Sequence, residues 1–395
     1  MALVVQEYED LSLRDVEDVE RLAKRVVTAR QDGHRLIVVT PPDMPPALRG
    51  QTVGTGLDEA LTALGGEVYA PPLARLSTLF AADRAPFGLA GVLRPVREAL
   101  ARGAIVRISR PRGDQADTVA HPARAGTHAI RLAAAFKADI CEVYTSAGGF
   151  HTADPGLVPL ARPVRTVGYE TACELAACGA GTLTPRDIEI ARQHGLTVRL
   201  RPSDTTTACT DPDIGDGTLI CAERRQTCGE QCAPAGITHD LPGIKVVLAG
   251  PPNSAPITAQ MIRALADTRA GLLLAACGSR PAPAPDQPSN TTLFLTGPTA
   301  YIALATLEDK CTSLGVRILP SPKPVGRISL IGSGMRSRTK NVPLFCASLA
   351  AAEVTLEMVT ATESRISALC PAACLPRAVR ALHTAFSLDR GPQPG

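Results

Sequence analysis

The sequence predicts an α/β protein: a mainly parallel sheet sandwiched by helices, followed by two small ferredoxin-like units. Three observations carry that reading. Short runs rich in Val, Ile and Leu alternate with stretches of helical periodicity through the first half. A weak internal repeat of strands and helices then occupies the remainder. Between the two, Cys209–Gly236 is dense in Thr, Asp, Gly and Cys, the composition of a domain boundary. The expected domains are 1–235 and 236–386, with 387–395 a disordered tail.

The first strand, Leu3 to Val5, runs into the carboxylates Glu7, Glu9 and Asp10. In an α/β protein the carboxyl end of a strand is where ligands bind, so this acidic cluster marks a candidate site. Val16, Val19, Leu22 and Val26 follow at helical spacing, and Thr127–Phe136 reads as a second helix. Leu36–Thr40, Ala104–Ser109, Ala138–Thr145 and Leu196–Arg201 are the further strands. Helices between apolar strands supply crossovers, which parallel pairing requires, and cover both sheet faces. In the second part, Lys245-VVLAG, a helix near Ala259–Asp267 and Leu272-LLAAC form one copy of the repeat. Arg327-ISLIG, a helix near Phe345–Ala352, Leu356-EMVTA and Arg365-ISALC form the other. Each copy reads as β-α-β-β-α-β, with the Pro-rich Arg280-PAPAPDQP joining elements of the first.

Composition excludes several functions. Lys plus Arg number 41 against 38 acids, a net charge of +3, and no dense basic tract supplies a nucleic-acid surface. Aromatics are 3% with no Trp, so base-stacking platforms are not expected. No apolar run of about 18 residues is present to span a membrane. The first residues lack the basic region of a secretory signal, so a cytoplasmic protein is expected, its 12 cysteines mostly buried thiols. Cys228 and Cys232 have a spacing zinc could use, with Cys209 and Cys221 nearby, but two further well-spaced ligands are lacking. Free thiols are the default, and neither metal nor cofactor is expected.

Three stretches carry a family resemblance: ADICEVYT…TADPGLVPLAR (138–162), YETACELAACGA (169–180) and GRISLIGSGMRS…FCASLAAAEVTLEMVTATESRISALC (326–370). With GAIV (103–106) they follow the order of the aspartokinases, which this chain resembles along most of its length. The resemblance implies an amino-acid-kinase domain and a C-terminal pair of ACT domains, which usually build a dimer and bind an amino-acid effector.

The family's ligand positions are altered. Aspartokinases begin with a strand followed by Lys-Phe/Tyr-Gly-Gly, whose lysine neutralises the phosphoryl group and whose glycines admit it to backbone N–H groups. Here Glu7 stands for the lysine, Glu9 and Asp10 stand for the glycines, and only Tyr8 survives. The family's substrate-amine glutamate aligns with Thr55, which cannot pair with an ammonium group. The substrate-binding run aligns with His121–His128, where only Thr127 matches and Arg124 lies two residues from the expected arginine. The nucleotide-side segment becomes Thr145-Ser146-Ala147-Gly148-Gly149, and a further lysine becomes Gly181. In the first ACT unit the effector loop reads Pro251–Pro256, and Gly271, Leu273 and Cys277 replace polar residues, whereas the second keeps Thr360, Thr362 and Glu363.

Phosphoryl transfer rests on positioning and charge neutralisation, so these changes imply loss of aspartate kinase activity. Two readings remain. One is a nucleotide-independent enzyme with Glu7 and His128 as acid/base residues. Tyr8, Asp10, Thr55, Arg112, His121, Arg124 and Thr127 would then bind a small molecule in the former kinase cleft. Cyclisation, isomerisation, elimination or hydrolysis in specialised metabolism would suit such a site. The other is a non-catalytic binding or regulatory subunit, acting through an ACT homodimer or beside an intact aspartokinase. In that reading the acidic cluster only blocks nucleotide, and the histidines are ordinary surface or helix-face residues.

Overall fold

The computed structural model describes residues 2–8, 16–41, 56–71, 90–110, 127–181, 183–203, 217–222, 234–240, 243–250, 255–266, 271–278, 289–296, 300–320 and 324–390. The chain forms two compact units: Met1–Thr152 with Ala161–Gln231, and Ala153–Leu160 with Cys232–Gly395.

The first unit is built on β1 (Leu3–Tyr8), α1 (Val16–Gln31), β2 (Arg35–Thr40), α2 (Leu57–Ala63), β3 (Val68–Tyr69), α3 (Ala90–Ala101) and β4 (Ile105–Ser109). It continues through α4 (Thr127–Phe136), β5 (Ile140–Thr145), β6 (Thr166–Gly168), α5 (Tyr169–Ala177), α6 (Pro185–His194), β7 (Thr197–Pro202) and β8 (Thr218–Cys221). The eight strands order as β3-β4-β2-β1-β5-β7-β8-β6. Pairing is parallel from β3 to β7, and the β7–β8 pair is antiparallel.

Local sequence explains these elements. In α1 the buried Val19, Leu22, Ala23, Val26 and Val27 recur at helical spacing, with Glu17 and Asp18 in the first turn and Arg30 in the last, as the helix dipole favours. In α6, Thr184 and Asp187 form a reciprocal capping box, and Gly195 closes the helix at φ 59°. β1 lies at the centre of the sheet, so both its faces are buried. Val4 and Tyr8 pack with Val19, Leu22 and Val26 of α1. The alternation of a strand turns Glu7 to the other face. The strand also runs further than the sequence suggests: Glu7 pairs in register with Val39 of β2 and Val143 of β5. It is part of the sheet, not the loop beyond it.

The second unit comprises β9 (Pro234–His239), β10 (Ile244–Gly250), α7 (Ala255–Ala266), β11 (Gly271–Gly278), β12 (Ser289–Thr296), α8 (Ala300–Leu314) and β13 (Arg317–Pro320). Then follow β14 (Val325–Gly332), α9 (Asn341–Ala351), β15 (Met358–Ala361), β16 (Arg365–Pro371), a 3-10 turn (Ala372–Cys374) and α10 (Leu375–Ala385). Two four-stranded sheets result, ordered β11-β12-β10-β13 and β15-β16-β14-β9. The first is a complete β-α-β-β-α-β unit. The second corrects the expectation of two contiguous copies, because its fourth strand comes from upstream of the first. The edge beside β14 needs backbone partners and an apolar inward residue, and β9 supplies both, pairing Ile237 with Leu330 and burying it to 2%. Residues 387–390 of the expected tail form a turn in which Leu388 is buried and its N–H donates to His383 O. Residues 391–395 lie outside the described residues.

Candidate functional site

Glu7 is the centre of the candidate site. Its residue is 0% exposed, and Oε2 accepts the Ala129 N–H at 2.9 Å. Ala129 is in the first turn of α4, where backbone N–H groups lack intrahelical acceptors and the dipole favours an anion. Arg110, its side chain 14% exposed, brings Nη1 to 3.9 Å from Glu7 Oε1. Its own N–H donates to Thr40 O, which fixes the residue after β4 beside the end of β2. An N-terminal helix turn and a guanidinium are the groups that commonly hold a phosphate. Here both meet a carboxylate of the chain itself.

His128 stands on the same helix turn, buried at 8%, one residue from the N–H that Glu7 accepts. Thr127 is the first residue of α4. The structure thus brings Glu7 and the start of α4 together, with His128 next in sequence to the N–H donor. Asp10, Thr55, Arg112, His121 and Arg124 lie outside the described residues, as does Glu9. Tyr8 is separated from Glu7 by the sheet, being 1% exposed on the α1 face.

Tyr8 belongs to a buried polar network that sequence reasoning did not find. Its hydroxyl donates to Gln6 Oε1 at 3.1 Å, and Gln6 Nε2 donates to Glu142 Oε2 at 2.9 Å. Tyr144 OH donates to the same Glu142 oxygen at 3.0 Å, and Arg201 Nη1 lies 3.3 Å from Glu142 Oε1. The Tyr8 and Tyr144 rings stack at 4.5 Å, with the Arg25 guanidinium 4.7 Å from the Tyr144 centroid. Burial pushes the Tyr8 hydroxyl up to about 12, so it stays a neutral donor. The parallel register explains the assembly, since Gln6 faces Glu142 and Tyr144 faces Arg201 across β1, β5 and β7. A charge inside the apolar run ICEVYT and another inside TVRLRP were the available signals, because buried charges need partners.

Two other altered segments have clear geometry. Gly148 and Gly149 follow β5 at φ 68° and 135°, and a Cβ on Gly149 would fall 2.5 Å from Thr218 Oγ1. The segment that aligns with the family's nucleotide side is therefore a tight turn held against β8, where only glycine fits at Gly149. Gly181 has φ 43°.

In the second unit, Glu363 accepts hydrogen bonds from Ser337 Oγ at 2.7 Å and Arg336 Nε at 3.0 Å. The Ser337 hydroxyl, then its N–H and Arg336, hold the Glu363 carboxyl below the usual range. Residues 251–254 lie outside the described residues, while Gly271, Leu273 and Cys277 are on β11. Cys209, Cys228 and Cys232 also lie outside, and Cys221 ends β8 half-buried. Among the described residues no helix is long and apolar enough to cross a membrane.

The two units define a class, an amino-acid kinase domain joined to ACT domains. Residues 89–202 match the amino acid kinase family and residues 328–386 match an ACT domain. The chain is 31% identical over 418 residues to the aspartokinase of Mycobacterium tuberculosis, covering 98% of this chain and 97% of the relative. It is 28% identical to the aspartokinase of Thermus thermophilus, covering 99% and 100%. The chain belongs to the aspartokinase family. Its fold is similar to Escherichia coli aspartokinase III in complex with aspartate and ADP, with a TM-score of 0.71 at 16% identity over 97% of this chain and 99% of that one. Clostridium acetobutylicum aspartate kinase gives a TM-score of 0.67 at 13% identity, covering 98% and 100%.

Proposed function

We propose that this aspartokinase-family chain no longer phosphorylates aspartate and that its former kinase cleft works without nucleotide. The observation that carries the reading is the Glu7 carboxylate on the Ala129 N–H, with Arg110 beside it. The helix turn and cation suited to a phosphate are already engaged by an internal anion, which stands where the family has a cation. A triphosphate would meet like charge and would have to displace a buried ion pair.

In this reading Glu7 and His128 do acid/base chemistry on a small molecule: cyclisation, isomerisation, elimination or hydrolysis. Asp10, Thr55, Arg112, His121, Arg124 and Thr127 contact the substrate, whereas Tyr8, buried on the α1 face, does not. The setting is specialised metabolism in the cytoplasm, with a homodimer formed through the ACT domains. One observation favours a second reading, a non-catalytic binding or regulatory subunit of an intact aspartokinase. Glu7 is 0% exposed, which suits a plug as well as a base.

Calorimetric titration with Mg-ATP, run beside a hydroxylamine trap for aspartyl phosphate, tests the common premise. No binding heat and no trapped acyl phosphate are expected. Micromolar ATP affinity or aspartyl hydroxamate overturns it. Co-purification with an intact aspartokinase, without any turnover sensitive to Glu7→Gln, would select the regulatory reading.

A further inference from the structure

The second unit carries a thiol pair that the cleft does not use. Cys370 lies near the end of β16 and is 0% exposed, in line with the buried Ile366 and Ala368. Pro371 and a single 3-10 turn then lead to Cys374, the N-cap of α10, whose side chain makes no capping hydrogen bond. Cys374 is half-buried, whereas Cys370 is fully buried.

Arg377, three residues on, donates from Nη2 to Cys374 Sγ at 3.8 Å. The same nitrogen donates to Glu353 O at 2.8 Å, and Nη1 lies 4.0 Å from Glu353 Oε2, so the guanidinium bridges Glu353 and the sulfur. Only Pro371 and the start of the turn Ala372–Cys374 separate the two cysteines along the chain. Burial first, then charge on Cys374, pushes the Cys370 thiol up to about 11. A half-buried cysteine with a cationic donor and a second thiol one turn back along the chain is the arrangement of an attacking and a resolving cysteine.

We propose that Cys374 and Cys370 form an oxidant-sensitive pair that hydrogen peroxide converts to a disulfide. The Cys374 thiolate attacks one peroxide oxygen, the O–O bond breaks, and hydroxide leaves beside the Arg377 guanidinium. Cys374 is then a sulfenic acid. The Cys370 sulfur attacks the Cys374 sulfur, the S–O bond breaks, and water leaves carrying the Cys370 proton. Two thiols lose two electrons and one peroxide becomes two waters. The bond ties the end of β16 to the first turn of α10, whose Leu375, Ala378, Val379 and Leu382 are buried. Such a bond in a reducing compartment is transient and reports oxidant.

The test uses the full-length protein treated with hydrogen peroxide, alkylated and digested with trypsin. Ile366–Arg377 is released as one peptide containing both cysteines. The expected product is that peptide lighter by two hydrogens, restored by dithiothreitol, and formed before Cys173 reacts. Cys173 is the internal comparator, half-buried and pushed up to about 11 by burial and then Glu189. In Cys370→Ser the oxidation should stop at a Cys374 sulfenic acid that dimedone traps. In Arg377→Gln it should slow severalfold, with Arg377→Lys recovering part of the rate. A peptide that keeps both thiols while Cys173 oxidises overturns the proposal. So does Cys374 sulfinic acid accumulating beside reduced Cys370.

Discussion

The two faces of β1 differ in kind. On the α1 face, Gln6 and Tyr8 join Glu142, Tyr144 and Arg201 in a hydrogen-bonded network with stacked rings. On the α4 face a single carboxylate, Glu7, meets a helix N-terminus and one arginine. Both sets are buried, and Gln6, Glu7 and Tyr8 come from the same six-residue strand. The first draws its partners from side chains on neighbouring strands, so it bears on the stability of the sheet. The second meets groups that are also suited to a phosphate, so it bears on function. Burial alone does not separate scaffold from site. The partners do.

The largest expected effect breaks the scaffold face. Replacing Arg201, 2% exposed, by Met leaves Glu142 buried without its cation, which should cost the first unit about 3–5 kcal/mol in urea denaturation. The double variant Glu142→Gln/Arg201→Met should regain a large part of that loss, because no uncompensated charge remains. Equal destabilisation by the single and double variants would sink the network reading.

On the functional face the expected effect is smaller. Glu7→Gln keeps the shape but weakens the contacts to the Ala129 N–H and Arg110, for about 1–2 kcal/mol. Glu7→Lys should cost more, since it places a cation against Arg110 and the positive end of α4. Neither variant should phosphorylate aspartate, because the turn at Gly148 and Gly149 and the substitution at Gly181 remain. Aspartyl hydroxamate from Glu7→Lys would show that one residue, not a collective change, silences the site.

The contrast between faces also explains what was legible in the sequence. The mainly parallel sheet was readable because Leu36–Thr40 and Ala138–Thr145 are apolar runs separated by helical periods. Glu7 was readable as a candidate from the acidic end of its strand and again against the family's lysine, but its place inside the sheet was not, since the polar QEY ending of the strand hides the pairing. The Glu142–Arg201 pair was not legible because its partners are 59 residues apart and meet only through strand register. Arg110 was passed over beside Arg112 for a similar reason: nothing local says which arginine turns inward. In the second unit the borrowed strand β9 carries no sequence mark beyond the apolar Ile237, so the repeat looked contiguous.

The cap of α6, a helix packed on α4, calibrates the comparison. Thr184 Oγ1 accepts the Asp187 N–H at 3.2 Å and donates to Asp187 Oδ2 at 2.6 Å. Thr184→Ala should cost about 1 kcal/mol in thermal denaturation and leave every ligand titration unchanged.

The smallest effect belongs to the exposed face of the same helix. Glu189 accepts from Arg192 Nε at 2.8 Å and Gln193 Nε2 at 2.9 Å, and these bonds, Arg192 first, lower its carboxyl from 4.5 to about 2. A carboxyl lowered on folding adds stability above its unfolded value, and that contribution fades as pH falls from 4.5 through about 2. Solvent screens an exposed pair, so the contribution is slight. Glu189→Gln should flatten the acid limb of the stability curve in that window and match the parent at its foot. A difference that is largest below pH 2 would assign the effect to helix propensity, and the ion pair would then contribute nothing.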